Sequence, residues 1–321
     1  MTPELVHVAS ASTRWQQPFE ASLTDVFGVQ AEIAGRVARA LNVALGDSAR
    51  QQLAQAPTEN LPAYDAFLRG EAASQGMSVT DPGGLRRAVA AYEEAVALDA
   101  TFVEAWAQLA RARAVLYYLS TPTPAAAEAT RQAATRAFAL APGRPEGHRA
   151  MSAYYANVLG DVTRAFAEDS SALALTPVNA DLLVAVARKE MALNRWAAAV
   201  AHLEQASQLD PRSVLVATRL GFALFWLRRH AEALRAYDRA LALAPTNLYS
   251  FSQKASVFLA QGDASAARKV FAFAAQETDT LRAIVHFAKG LVWVLNDREQ
   301  ALLLRQTPRE FDNDVGLWGS S

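Results

Sequence analysis

Apolar and polar positions along this chain fall into blocks that recur. "YEEAVALDA", "TRAFALAP", "SSALALTP", "LEQASQLDP" and "YDRALALAP" each carry apolar residues at three- and four-residue steps and then stop. Such steps mark an amphipathic helix, and proline ends one because it lacks an N–H and holds the preceding residue extended. The closing residues Pro142, Pro177, Pro211 and Pro245 are separated by steps of 35, 34 and 34, and one more step of 34 reaches Asp279 after "FAFAAQETD". Counting back, the equivalent residue is Ala100, 42 before Pro142; the surplus matches the loop "YYLSTPTPAAA" with Pro122 and Pro124.

Each block has room for two helices. The fifth places Leu220 and Gly221 on its first helix, then Ala233, Tyr237 and Ala240 on its second, before Pro245. Small residues at the crossing let the helices approach closely, and large ones fill the gaps beside them. A unit of this length and pattern resembles the tetratricopeptide repeat. The second block has Trp106, Leu109, Ala110 and Ala137; the fourth has Val186, Ala187, Ala199, Leu203 and Ala206. The sixth has Phe251, Ala255, Phe258, Ala267, Phe271 and Ala274, with Lys254 where a large apolar residue is usual. The third has Met151, Ser152, Ala165 and Ala172, Asp169 in place of an aromatic, and one extra residue near "LGDVT". The first is the poorest: Tyr64, Phe67 and Leu68, then Ala88, Tyr92 and Ala95 across the long turn "QGMSVTDPGG".

The resemblance covers roughly residues 61–279 and implies an all-α fold, a right-handed α-solenoid of about six helical hairpins stacked on one another. Residues 280–306 read as a capping hairpin: one helix over about 280–295, a turn at Asn296–Asp297 and a second helix. Residues 307–321 read as an irregular tail that frays.

The stretch before the array does not share its period. In residues 23–60, Val26, Val29, Ile33, Val37, Ala40, Leu41 and Ala44 form one helical stripe, with Thr24 or Asp25 as N-cap, followed by the connector "QLAQAPTENLP". Residues 1–22 predict a short β-hairpin, Leu5–Ala9 and Thr13–Gln17, and a lone hairpin is marginal in water. The run from Trp15 and Phe19 to Asp25, Val26, Phe27, Val29, Gln30, Glu32 and Ile33 is similar to the junction where a TolB-like domain meets tetratricopeptide repeats in bacterial regulator and adenylate-cyclase-type chains. It implies that the strands are a remnant of that domain. It also implies a second function: a regulatory or sensor fragment of a signalling or transcription-regulator chain acting on a separate effector domain.

Composition narrows the chemistry. The 321 residues are 52% hydrophobic with net charge −1, enough to bury a large core and without the basic footprint of a nucleic-acid binder. With no cysteine, thiolate ligands, disulfides and cysteine nucleophiles are excluded. No apolar stretch predicts a membrane span or a signal peptide, so the expectation is a cytoplasmic protein with no membrane or direct nucleic-acid partner. His7, His148, His202, His230 and His286 are scattered without ligand spacing, so no metal or cofactor is expected. "GDASAARK" reads as the turn of the sixth unit, with Gly262 closing one helix and Asp263 capping the next, rather than as a phosphate loop. No nucleophile–base order or paired-carboxylate signature emerges, so the chain reads as a non-enzymatic scaffold.

What the repeat resemblance implies about binding is specific. First helices of such units line a concave groove, which makes Gln108, Arg111, Arg149, Arg188, Arg219, Phe222, Gln253, Ser256 and His286 candidates to touch a protein or peptide ligand. Arg111, Arg149, Arg188 and Arg219 come from consecutive units, and arginine forks match carboxylates, so an acidic, extended peptide would suit them. The competing reading is that Glu104, Glu146 and Asp181, on the same helices, neutralise the row internally. The asparagines and lysines of repeats that clamp heat-shock chaperone tails are not at matching positions. Trp106, Tyr237, Phe251, Phe258 and Phe271 read as core, and Trp196 as packing between units; Phe222, Phe225 and Trp226 read either as groove or as packing. The oligomeric state does not follow from the sequence.

Overall fold

The computed structural model describes residues 4–7, 12–16, 57–74, 82–120 and 122–305. The predicted junction helix over 23–45 and the tail over 307–321 lie outside the described residues. The chain divides into residues 1–64 and 65–321. In the first part, β1 (Glu4–His7) and β2 (Ser12–Gln16) pair antiparallel with Leu5 opposite Trp15 and an irregularity between Leu5 and Val6. Both strands start one residue before the predicted positions.

Fourteen helices follow among the described residues. Hairpins pair α1 (Leu61–Ser74) with α2 (Pro82–Leu98), α3 (Val103–Leu119) with α4 (Pro124–Leu140), and α5 (Pro145–Asn157) with α6 (Val162–Leu175). They continue with α7 (Ala180–Ala192) and α8 (Trp196–Leu209), α9 (Val214–Trp226) and α10 (His230–Leu243), α11 (Leu248–Ala260) and α12 (Ala264–Glu277). α13 (Thr280–Leu291) and α14 (Asp297–Leu304) close the array.

The period reappears as packing. Ala137, Ala172, Ala206, Ala240 and Ala274, one per repeat, are all fully buried at the second-helix crossings. A neighbouring column runs Tyr92, Ala134, Asp169, Leu203, Tyr237 and Phe271, also buried. In two units the aromatic leans on a glycine of the first helix: a Cβ on Gly221 would lie 2.8 Å from the Tyr237 ring, and one on Gly70 2.4 Å from that of Tyr92. The tight turns repeat too. Gly160, Asn194, Arg228 and Gly262, again one per repeat, all have positive φ, between 58° and 79°. The extra residue of the third unit sits where expected, because four residues (158–161) join α5 to α6 whereas three (193–195) join α7 to α8. Asn179, Ser213 and Asn247 cap α7, α9 and α11, each side chain accepting the N3 amide.

Arginine in the left-handed region carries a Cβ penalty that glycine escapes. Arg228→Gly is therefore expected to raise stability by roughly 0.5–1 kcal/mol, read as a higher urea midpoint with unchanged slope. Asn194→Gly gains less, because it removes the side-chain oxygen that accepts the Trp196 indole N–H at 2.5 Å.

The cap differs from expectation in one respect. α13 ends at Leu291, and a single 3₁₀ turn over Val292–Val294 precedes Asn296, which starts α14 in a capping box with Glu299. Bending there buries Val294 and Leu295 against the core of α11–α13, which a straight helix to 295 would carry past it. Arg268 of α12 ties the cap down, with both guanidinium nitrogens 2.6 Å from Glu299 and one donating to the Val294 carbonyl at 2.9 Å.

The array also has an inside. First helices of successive hairpins come into contact (α3 with α5, α7 with α9, α9 with α11, α11 with α13), while second helices make no comparable approach among the described residues. A stack whose first helices are nearer one another than its second helices curves with the first helices on the concave side.

Candidate functional site

The concave face begins at a polar network in the first two hairpins. The Tyr92 hydroxyl donates to Glu71 Oε1 at 2.6 Å, Gln108 Nε2 donates to the same oxygen at 2.7 Å, and Arg111 donates to Gln108 Oε1 at 2.5 Å. Burial first, and then the positive charge of Arg149 from the next hairpin, lower the Arg111 pKa to about 10, so it stays charged at neutral pH. Arg188 of α7 is lowered in the same way, by burial first and then by Arg219 of α9. Of the four predicted arginines, Arg111 thus feels the charge of Arg149, and Arg188 that of Arg219.

Asp169 joins the pairs. It lies on α6 in the buried column otherwise filled by tyrosine, alanine, leucine and phenylalanine, and is 3% exposed. Its Oδ2 is 3.3 Å from Lys189 Nζ, and that oxygen accepts no hydrogen bond. The carboxylate also raises the pKa of both Arg111 and Arg188, so it lies within electrostatic reach of each pair. Lys189 is pushed below the ordinary lysine value, chiefly by burial, with Asp169 opposing and Arg188 adding to the shift. A carboxylate buried in the core column is thus set against the cations on the concave side.

The proposed internal neutralisation does not hold for two of its members. Glu104 and Glu146 turn to Arg144, the N-cap residue just before α5. Both glutamates lie in first turns, beside Arg144, which takes them up before they can meet the arginines further along the helices. Asp181, at the start of α7, is exposed and takes no partner among the described residues. Arg149, Arg188 and Arg219 likewise make no hydrogen bond or ion pair there.

The remaining candidates separate. Phe222 occupies on α9 the place Arg188 occupies on α7, and is half-buried with its ring 6.1 Å from Trp196 and 6.2 Å from Trp226. Trp196 packs between units as expected, stacked on Trp226 at 5.3 Å and 15°, while Trp226 remains 55% exposed. Ser256 donates to the Ser252 carbonyl of its own helix, and His286 shares a 3.2 Å contact with the Ser252 hydroxyl. Burial and Lys289 lower the His286 pKa. His286 thus ties α13 to α11, Ser256 spends its hydroxyl within α11, and Gln253 is half-buried without a polar contact among the described residues.

Stacked hairpins with a buried alanine at each second-helix crossing, and in four of them a turn residue in left-handed conformation, define the unit. Residues 214–247 match the tetratricopeptide repeat family. No curated protein matches the chain as a relative. Among solved structures, a thermophilic TPR protein of Thermus thermophilus is similar over 61% of this chain and 99% of its own, at TM-score 0.51 and 21% identity. PilW, a widely conserved type IV pilus biogenesis factor, is similar over 75% of this chain and 98% of its own, at TM-score 0.53 and 16% identity. The Cut9–Hcn1 hetero-tetramer of the APC/C aligns over 85% of this chain and 55% of its own, at TM-score 0.55 and 15% identity. These likenesses establish the fold, a TPR-like helical solenoid.

With the repeat as frame, the residues that counting along the chain left out become definite. Asp169 and Lys189 are central to the row, and Glu71 closes its first end. Asp169 gave a signal, a carboxylate at a position of the repeat that is otherwise apolar. Lys189 and Glu71 gave none. Tyr237 adds a buried hydroxyl without a hydrogen bond; burial first, and then Tyr249, raise its pKa, with Arg219 opposing. Among the described residues no three His, Asp or Glu side chains gather to hold a metal ion, and no helix is long and apolar enough to cross a membrane.

Proposed function

We propose that the chain is an interaction scaffold whose concave face binds an extended, acidic segment of a protein or peptide. The observation that carries this reading is the free capacity of Arg149, Arg188 and Arg219, which spend their guanidinium donors on no protein group among the described residues. Three arginine forks left without carboxylates among the described residues favour an anionic occupant. Because the cations come from four successive first helices, an extended chain can meet them all and a compact one cannot.

The test is anisotropy of a fluorescent Glu-rich peptide titrated with the protein. Each lost hydrogen bond to a charged group is worth about 1.5–3 kcal/mol, so Arg188→Ala/Arg219→Ala should weaken binding by a hundredfold or more. Unchanged affinity in a double variant that melts like the wild type would remove the site from the groove.

A further inference from the structure

The first and fifth hairpins share one arrangement, and the fifth lacks a member of it. In each, a buried tyrosine of the second helix lies so close to a glycine of the first that a Cβ there would strike its ring: Tyr92 on Gly70, and Tyr237 on Gly221. The following hairpin then supplies a glutamine, Gln108 in one place and Gln253 in the other, at the same interval after the tyrosine. The residue after the glycine differs. Glu71 follows Gly70, and its Oε1 accepts from the Tyr92 hydroxyl at 2.6 Å and from Gln108 Nε2 at 2.7 Å. Phe222 follows Gly221 and offers no acceptor.

Two donors are left over as a result. The Tyr237 hydroxyl is buried without a hydrogen bond, which folded proteins rarely tolerate, and half-buried Gln253 makes no polar contact among the described residues. The Phe222 ring leans on Trp196 of the preceding hairpin, 6.1 Å between centroids, whereas Gln253 belongs to the following one. Arg219, two residues before Gly221, bears electrostatically on the Tyr237 hydroxyl and has no ion pair of its own among the described residues. We propose that a carboxylate of the ligand takes, at the fifth and sixth hairpins, the place that Glu71 takes at the first and second. It accepts from the Tyr237 hydroxyl and from Gln253 Nε2, with Arg219 beside it. This inference rests on the groove reading above and gives the ligand a fixed point within it.

The donor set selects the group. A hydroxyl, an amide N–H and a guanidinium converge with no acceptor among them, and a carboxylate has two oxygens to share between them. One oxygen takes two hydrogen bonds, as Glu71 Oε1 does, and the other is left for the arginine fork. A neutral carbonyl could accept the first two but would leave the charge of Arg219 unmet. The path is also set by the first hairpin: Glu71 is half-buried and reaches Tyr92 from a first helix, the concave side of the array.

The experiment uses the full chain and two fluorescent probes: a Glu-rich peptide with an amidated C-terminus, and a Gln-rich peptide with a free one. The first offers side-chain carboxylates alone, the second a terminal carboxylate alone. Tyr237→Phe removes an oxygen that holds no bond in the free protein, so it should melt at or above the wild-type temperature. Tyr92→Phe, which breaks the bond to Glu71, should melt lower. Tyr237→Phe should nevertheless bind about tenfold more weakly the probe that supplies the carboxylate, and the probe affected names its source. Gln253→Leu should lose about as much, and the two losses should not add, because one carboxylate serves both groups. If both variants bind both probes like the wild type while Arg188→Ala/Arg219→Ala weakens binding, the groove reading stands and this placement is overturned. If the arginines make no difference either, both readings fall. A Tyr237→Phe protein that melts as low as Tyr92→Phe also overturns the placement, since its hydroxyl would then be bonded within the chain.

Discussion

Gly147→Val melts well below the wild-type protein. Gly147 lies in the first turn of α5, and a Cβ built there would be 2.7 Å from the Phe138 Cα and 3.2 Å from its nitrogen. Those are backbone atoms of α4. A crowded side chain can rotate aside, whereas a crowded helix must move as a body. Moving α4 off α5 would also disturb the edge contact of Phe138 with His148, at 5.1 Å, and the 2.7 Å His148–Glu168 bond beside it. Overpacking costs typically 1–3 kcal/mol, and with backbone as the obstacle the value should lie near the top, about 3 kcal/mol. Urea unfolding followed by circular dichroism measures it. Gly143→Ala is the control, because a Cβ there meets nothing within 4 Å, and it should unfold with the wild type. A Gly147→Val midpoint equal to that of the control would mean that the two helices are not in contact at this point.

Asp169→Ala is the second large effect. Its side chain is 4% exposed and that of Lys189 14%, so the pair is largely out of water. Removing one member of a buried pair typically costs 3–5 kcal/mol because the other is left charged and unpaired. Lys189 retains a small opening to solvent, so the lower part of that range, about 3 kcal/mol, is expected here. Asp169→Leu/Lys189→Met should recover most of the loss, since apolar replacement of a buried pair is often neutral, and Leu203 already fills the equivalent place one unit on. A double-mutant cycle isolates the coupling. The isosteric Asp169→Asn removes the negative charge between the two arginine pairs, so the Glu-rich peptide should bind it several-fold more tightly at low salt, a gain that fades as salt rises. An Asp169→Ala protein as stable as the wild type would show that the carboxylate is not held against Lys189.

These two residues illustrate what counting along the chain can and cannot find. The repeating step placed the hairpins, the alanine column from Ala137 to Ala274, the turn with one extra residue and the packing of Trp196. Each follows from spacing within one unit, and spacing is a property of the chain. It also marked Asp169 as a departure, without saying what the departure faces. It left Gly147 unremarked, because the atoms it would strike belong to the preceding hairpin.

By itself the sequence determined that the protein is a stack of helical hairpins and that arginines recur on the first helix of consecutive units. Only the tertiary structure decided which charges meet. Arg144 reaches back 40 residues to Glu104 and leaves the groove arginines unpaired, Gln108 reaches back 37 to Glu71, and Lys189 turns to Asp169 on the hairpin before it. The reason is geometric. A helix fixes the face on which a residue lies through its period, but the groups opposite that face come from a neighbouring unit. Their approach is set by how closely glycine and alanine allow the helices to cross, and that distance is not written in the spacing of either helix.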